Sequence, residues 1–487
     1  MSTIDAPRSD VPSDDHRDAF DRRLAPEALR RHGDRTALVA GERVVTYVEL
    51  AELVERRTLA FGVGRRLAVI EMTPTVEAVV DLLAALAGGH AAAPAGDRSV
   101  ADRWADHYGA DLVTGDDRGG DGSRVEHRTP PAAPSALELH SDLALVLSTS
   151  GSTGAPKLVR LSRDAIEANA ASIAAYLGLT PTDRAITVLP LHYCYGLSVL
   201  TSHLGVGAGF VLTGASVVDP CFWDAVDRNG VTGLAMVPHS FELVDRVGRD
   251  RLDAPSLRYV TQAGGRLAPD RVRDFADLGA GAGWDLYVMY GQTEATARMT
   301  YLPPEEASRR PASVGIAVPG GSIRLDLGQG PEGRADVGEV VYSGPNVMMG
   351  YAERPDDLAR GHDHSDLRTG DLGRFDPDGF LEIVGRVSRF VKIHGKRVDL
   401  DHVERMLSDG GCAAACVGDD EGLVIAMVDE SLGRTDGGRA VVDEALHRAV
   451  ASMVDVPGGR IVAARVGELP RTSSGKLDAG RLLGEVR

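Results

Sequence analysis

Between residues 22 and 115, short apolar runs alternate with longer stretches in which apolar side chains recur every three or four positions. The runs at 36–39, 66–70 and 111–114 predict strands, and the periodic stretches at 47–61 and 76–86 predict helices packed along one face. Strand and helix in alternation predict a parallel sheet covered on both sides. The segment 116–134, rich in Gly, Asp and Pro, reads as an exposed loop. The same alternation then resumes with a strand at 143–147, a helix at 163–176 and strands at 185–190, 231–238, 257–263 and 285–290. These strands run into Leu191-His192-Tyr193-Cys194-Tyr195-Gly196, Pro238-His239-Ser240, Gly264-Gly265-Arg266 and Gly291-Gln292-Thr293-Glu294. Polar or glycine-rich tips thus gather at strand ends, where open α/β sheets bind their ligands.

Beyond Pro311 the pattern shortens. Strands at 322–325, 338–343, 370–375 and 379–384, separated by turns, predict a small β-rich subdomain with Asp371 at the start of a strand. Residues 385–396 read as a charged, turn-like passage. The segments 401–407, 412–417, 423–428, 441–453 and 460–466 predict a compact α+β region, closed by a Ser/Gly-rich tail at 469–477 that carries Lys476. The expected fold class is α/β: a large N-terminal domain of doubly wound sheets plus the β-rich subdomain, and a small mobile α+β C-terminal domain. The expected divisions are a flexible leader at 1–20, the N-terminal domain at 21–385, a hinge at 386–389 and the C-terminal domain at 390–487.

Composition narrows the function. The 487 residues are 43% hydrophobic, as in globular proteins, and too many for one ordinary core. A net charge of -18 argues against nucleic acid as a partner, which calls for a basic stripe, but permits a local anion site. Cys194, Cys221, Cys412 and Cys416 show no CxxC spacing, so free thiols in a reducing, cytoplasmic setting are expected. Residues 1–23 lack the apolar core of a signal peptide, and no run reaches the length of a membrane span.

The stretch 148–157, STSGSTGAPK, follows its strand directly. Ser148, Thr149, Ser150, Ser152 and Thr153 offer hydroxyl donors, Gly151 and Gly154 let the backbone approach an oxyanion, and Lys157 supplies a mobile positive charge. This is a phosphate loop in character, although not the Gly-Lys-Ser/Thr ending of a Walker loop. The lysine count sharpens the point. Of 53 basic residues only Lys157, Lys392, Lys396 and Lys476 are lysine. Where charge alone was wanted the chain uses arginine, so all four lysines are candidates for function.

Five motifs in order, 148–157, Tyr290-Gly291-Gln292-Thr293-Glu294-Ala295, Thr369-Gly370-Asp371, Gly385-Arg386 with Lys392 and Gly395, and 470–476, resemble those of the adenylate-forming superfamily of acyl- and aryl-CoA synthetases, adenylation enzymes and luciferases. The resemblance spans roughly residue 34 to the C-terminus. It implies that ATP and a carboxylic acid bind between a large and a small domain. An acyl-adenylate then forms with release of pyrophosphate, and a domain rotation presents a thiol acceptor. By that resemblance Thr149, Ser150, Gly151, Ser152, Thr153, Gly154 and Lys157 hold the departing phosphates. Tyr290 stacks on adenine, with Gly264, Gly265, Arg266 and Gly291 lining the nucleotide. Thr293 meets the α-phosphate, Glu294 holds Mg2+, and Asp371 with Arg386 supports the ribose. Lys476 bridges carboxylate and α-phosphate, and Lys392 serves the transfer step.

Departures from the family pattern bear on the acid. Tyr193, preceded by His192, stands where many relatives place a histidine, and Ser388 takes the usual place of the hinge acid or lysine. No aspartate in 191–196 could hold an α-amino group, which argues against amino acids. His192, Tyr193, Cys194, Val237 and His239 are the expected pocket wall, suited to a hydroxylated or unsaturated acid. The first reading is a ligase that adenylates a small aryl or acyl acid with ATP and Mg2+ and passes it to CoA. The alternatives keep the adenylation but load a carrier protein, form an amide, or activate nitrite for attack by an aryl amine. A nucleotide-binding relative without catalysis would be expected to lose Glu294, Lys392 and Lys476, and all three are present.

Overall fold

The computed structural model describes residues 3–5, 24–116, 123–148, 158–329, 334–387, 390–393, 396–409, 414–419, 422–429, 441–444, 447–448, 450, 461–472 and 477–486. Two compact units are present, one made of Ala6–Ile323 and Tyr342–Leu367, the other of Met1–Asp5, Arg324–Val341 and Arg368–Arg487.

The helices of the larger unit begin where local chemistry starts them. Helix Tyr47–Phe61 opens on a reciprocal cap, in which the Thr46 hydroxyl accepts from Glu49 N and the Glu49 carboxylate accepts from Thr46 N at 2.8 Å. Val76–Ala87 and Arg163–Tyr176 open on Thr75 and Ser162, whose hydroxyls accept from the third residue inside. These helices cover two sheets. One has the order Gly350–Ala352, Leu158–Ser162, Leu143–Ser148, Ala91–Ala95, Leu67–Glu71, Leu112–Asp116 and Ser123–His127, with its four central strands parallel. The other has the order Ile316–Ala317, Thr300–Leu302, Asp285–Tyr290, Tyr259–Gln262, Gly233–Met236, Arg184–Ile186, Gly209–Leu212, Thr36–Ala40 and Arg43–Thr46, and is parallel from Asp285–Tyr290 through to Thr36–Ala40. Both have the expected doubly wound character.

Several expectations are corrected. The loop expected at 116–134 contains the strand Ser123–His127, paired antiparallel with Leu112–Asp116 at the sheet edge, where ladder bonds hold a polar sequence extended. The strand expected at 185–190 stops at Ile186, and Tyr195 and Gly196 fall in the first turn of helix Cys194–Leu204. The apolar run at 231–238 is divided between strand Gly233–Met236 and helix Pro238–Val247, whose start Pro238 favours.

In the smaller unit a five-stranded sheet runs Thr3–Asp5, Ser322–Asp326, Gly338–Ser343, Leu367–Phe375 and Leu381–Arg386. Asp371 lies in the middle of its strand and not at its start. The passage at 385–396 is no simple turn, since Phe390–Ile393 pairs antiparallel with Lys396–Asp399. A second sheet has the order Ala414–Asp419, Gly422–Val428, Ile461–Val466 and Val441–Val442. Its alternation divides the core: Cys416, Leu423, Ile425 and Ala463 face Leu400, Val403 and Leu407, while Ala415, Val417, Val424 and Ala426 face Leu482.

A buried histidine makes folding sensitive to acid. His203 places Nδ1 2.8 Å from the carbonyl oxygen of Val199 and Nε2 2.8 Å from the Tyr259 hydroxyl. The carbonyl can only accept, so Nδ1 carries the proton and Nε2 accepts from the phenol. Burial pushes this imidazole down to about 4, and burial followed by the nearby charges of Arg66 and Arg65 does the same to His90. The folded value lies below the unfolded one, so the unfolded chain takes up the proton first. Stability is then complete above about pH 6.5 and is lost as the pH falls towards 4. The thermal midpoint should drop over that window, and His203→Gln should flatten the slope. An unchanged slope in the variant would remove His203 from the account.

Candidate active site

Within the larger unit, three strand ends bring the expected residues together. Strand Asp285–Tyr290 delivers Tyr290 and then folds back, with Met299 N donating to the Tyr290 carbonyl at 2.9 Å and Ala297 N to that of Gln292 at 3.2 Å. The return passes so close that a Cβ on Gly291 would lie 1.8 Å from the carbonyl oxygen of Ala297. No other residue fits there without moving the turn. Thr296 and Ala297 hold left-handed φ angles of 53° and 97°, an unfavourable conformation for side chains of this kind. Asn346 fixes it, donating from Nδ2 to the carbonyls of Ala295 at 2.7 Å and Arg298 at 2.9 Å, while the Thr296 hydroxyl donates to the Asn346 carbonyl. Asn346 is itself held by the Tyr342 hydroxyl at 2.7 Å.

This turn aims Thr293 and Glu294. The Thr293 hydroxyl reaches the Cys194 sulfur at 3.4 Å, which ties the turn to the start of helix Cys194–Leu204. Glu294 accepts at Oε1 from the Tyr351 hydroxyl at 2.8 Å, and its carbonyl accepts from Met348 N at 2.8 Å. Burial, and after it the negative charge of Glu294, raises the Tyr351 phenol well above its ordinary value, so it stays a donor. Tyr351 pairs with Val159 on strand Leu158–Ser162, and Ser148 pairs with Leu158. Ser148 and Leu158, on either side of residues 149–157, are therefore held in the sheet whose edge strand fixes Glu294.

The pocket-wall residues take up unlike positions. His192 packs on Gly96, where an added Cβ would stand 3.1 Å from its ring, and burial lowers its basicity. Tyr193, also raised by burial, brings its hydroxyl to Gly264, where a Cβ would lie 2.9 Å from that oxygen and 3.0 Å from Val237. Gly264 holds φ +82°, so glycine serves there for conformation and for space. Gly265 stands beside Pro238, Arg266 is exposed, and His239 turns to Glu242 with Nδ1 2.9 Å from the carboxylate.

In the smaller unit Asp371 and Arg386 face each other across adjacent strands, with Nε 2.7 Å from Oδ1. Asp371 is 4% exposed, and its backbone N donates to the Thr369 hydroxyl, which in turn donates to the Val340 carbonyl. Thr149, Ser150, Gly151, Ser152, Thr153, Gly154, Lys157 and Lys476 lie outside the described residues, as does the side chain of Lys392.

Could Glu294 hold Mg2+? Among the described residues no three His, Cys, Asp or Glu side chains cluster as a metal cage. One firmly oriented carboxylate is what Mg2+ needs when substrate phosphates and water supply its other ligands, so the residue fits the ion. Tyr351, Asn346 and Arg298 were not found by reading the sequence. Only Arg298 left a sign there, as a charge inside the otherwise uncharged stretch 295–302.

The comparisons with known proteins agree with this geometry. Residues 109–352 match the family described as AMP-binding enzyme. An oxalate–CoA ligase from Arabidopsis thaliana is 32% identical over 55% of this chain and 52% of its own length. An indoleacetate–CoA ligase from Aromatoleum aromaticum is 30% identical over 68% of this chain and 65% of its own. The chain thus spans between half and two thirds of these relatives. The fold resembles that of o-succinylbenzoate CoA synthetase from Bacillus subtilis, solved with its acyl-adenylate intermediate, at a TM-score of 0.70 and 21% identity over 94% of this chain and 97% of that one. The same protein has been solved with ATP and magnesium ion. With the family matched over half the length of the chain and the motif turn built as described, this chain belongs to the AMP-binding enzymes.

Proposed function

We propose that this protein adenylates a small aryl or acyl acid and transfers it to CoA. A carboxylate oxygen attacks the α-phosphorus of ATP, the bond from that phosphorus to the bridging oxygen breaks, and pyrophosphate leaves. The CoA sulfur then attacks the acyl carbon, and AMP departs as the thioester forms. The observation that supports this reading most is the anchoring of Glu294. Tyr351 orients its carboxylate from the edge strand of the sheet that holds Ser148 and Leu158, so a cation held there would meet phosphates held by the loop that joins those two residues.

The remaining roles follow the chemistry of each group. Thr293 donates to the α-phosphate, and Tyr290 offers its ring to adenine. Gly264 and Gly265 let the backbone approach the nucleotide, with Arg266 beside them, and Gly291 lets the turn after Tyr290 close against Ala297. Asp371 accepts from ribose hydroxyls, and Arg386 supports it. Lys476 steadies the negative charge that builds in the first step, Lys392 serves the second, and 386–389 is the pivot between them. His192, Tyr193, Cys194, Val237 and His239 wall the acid. The named relatives act on oxalate and on indoleacetate, a compact diacid and an aryl acid, so either class is in range.

The test is pyrophosphate release and mass-spectrometric detection of the adenylate with ATP, Mg2+ and a panel of acids, each with and without CoA. An adenylate with every active acid and a thioester only when CoA is added are the expected results. Adenylate without thioester would move the acceptor to a carrier protein or an amine. ATP turnover with nitrite and an aryl amine alone would overturn the carboxylic-acid reading.

A further inference from the structure

Three arginines are buried among the described residues, and two of them face an acid. Arg66 stands 3.9 Å from Asp111, and Arg160 binds Asp363 at 2.7 Å. The third, Arg298, is 2% exposed and forms no ion pair with a described residue. Its Nε is buried without a hydrogen-bond partner, and its guanidinium carbon lies 3.9 Å over the ring of Tyr195. It lines a cavity with room for about one water, together with Tyr176, Tyr259, Thr261 and Met289.

The placement is built, not incidental. The Arg298 carbonyl is held by Asn169 Nδ2 at 3.0 Å and Asn346 Nδ2 at 2.9 Å, directly after the two left-handed residues. Its stacking partner Tyr195 donates to, or accepts from, the Thr261 hydroxyl at 2.8 Å and adjoins Cys194, whose sulfur takes the Thr293 hydroxyl. The cation therefore stacks on the residue that follows Cys194, a member of the expected pocket wall. An aromatic face offsets part of the desolvation of a guanidinium, but a buried cation of this kind ordinarily requires an anion. The unused donor leaves that anion to a ligand, which would have to widen the one-water cavity to reach it, and a carboxylate or sulfonate suits the guanidinium fork.

We propose that Arg298 reads a second anionic group on the substrate, so that the preferred acid is a compact one bearing a carboxylate or sulfonate besides the carboxylate that is activated. This rests on the adenylation reading above. The experiment measures pyrophosphate release by the full chain with ATP and Mg2+ on matched pairs: butyrate and succinate, acetate and sulfoacetate, benzoate and phthalate. It compares the natural protein with Arg298→Met, which keeps volume without charge, and Arg298→Lys, which keeps charge without the fork. The natural protein should favour the doubly charged member of at least one pair by about 10- to 100-fold in kcat/KM, the range for a hydrogen bond to a charged group. Arg298→Met should lose that ratio through a raised KM for the diacid, and Arg298→Lys should keep part of it. Equal turnover of both members by the natural protein overturns the proposal and leaves adenylation standing. So does a ratio that survives Arg298→Met, or an equal loss on both acids with a lowered melting temperature, which would make Arg298 a structural staple. If Arg298→Met does not fold, Arg298→Lys decides alone, and a ratio unchanged from the natural protein with an unchanged diacid KM overturns the proposal. Absence of pyrophosphate with every acid removes the adenylation reading and this one with it.

Discussion

Lys476→Ala should reduce adenylate formation by about 10²- to 10³-fold, the loss seen when one donor to a developing oxyanion is removed. The expectation rests on charge. In the first half-reaction a carboxylate approaches a phosphate, two anions that repel each other, and the transition state gathers further negative charge on oxygens around the α-phosphorus. A compact ammonium on a flexible stem can meet both partners at once. Lysine is scarce in this chain, which spends 49 of its 53 basic residues on arginine, so a lysine in the Ser/Gly-rich tail answers a need that arginine does not meet. The effect should fall on kcat, with ATP affinity little changed. Lys392→Ala provides the contrast: adenylate should accumulate at close to the natural rate while thioester formation from added CoA slows. Supplying preformed acyl-adenylate to the Lys476→Ala protein should restore thioester formation. Adenylation by Lys476→Ala within threefold of the natural rate would deny Lys476 this role.

What could be read from the sequence, and what could not, follows from the range of the interactions. Helices Tyr47–Phe61 and Arg163–Tyr176 were expected within the bounds observed, because a cap and a 3.6-residue period are local signals. Strand Ala91–Ala95 was not. Its sequence, AAAPA, has weak strand propensity and no alternation, and it is extended because it lies buried between Leu67–Glu71 and Leu143–Ser148. The edge strand Ser123–His127 was masked in the same way by a polar composition that a loop would share. At the site, Tyr290, Thr293 and Glu294 stand in a contiguous motif and could be named from it. The residues that hold the motif in shape could not, since Asn346 and Tyr351 lie more than 50 positions away and meet it only in the folded chain, Tyr351 through sheet register and Asn346 from the turn before that strand. The strain at Thr296 and Ala297 had no sequence signature, because neither residue is one that favours a left-handed backbone.

That supporting layer leads to the second large effect, at Glu294. Glu294→Gln keeps the size of the side chain and an oxygen that can still accept from the Tyr351 hydroxyl, so the turn should fold with its bonds from Met348 N and Asn346 in place. Only the charge is lost. A neutral amide is a poor ligand for a hard dication that is to be shared with phosphates, and the charge compensation such an ion supplies is worth several kcal/mol in the transition state. The expected result is a fall of about 10²- to 10³-fold in pyrophosphate release, with a higher Mg2+ concentration needed for half-maximal rate and a melting temperature within a few degrees of the natural protein. Tyr351→Phe separates orientation from charge. It leaves the carboxylate negative but free to rotate, so the Mg2+ requirement should rise by about tenfold, the lower end for loss of a group that orients a ligand, while kcat at saturating Mg2+ is largely retained. The competing account makes Glu294 only an acid that steadies the short turn Thr293–Ala295. That account predicts a lowered melting temperature and an unmoved Mg2+ dependence, and finding that pair in Glu294→Gln would take the cation away from this residue.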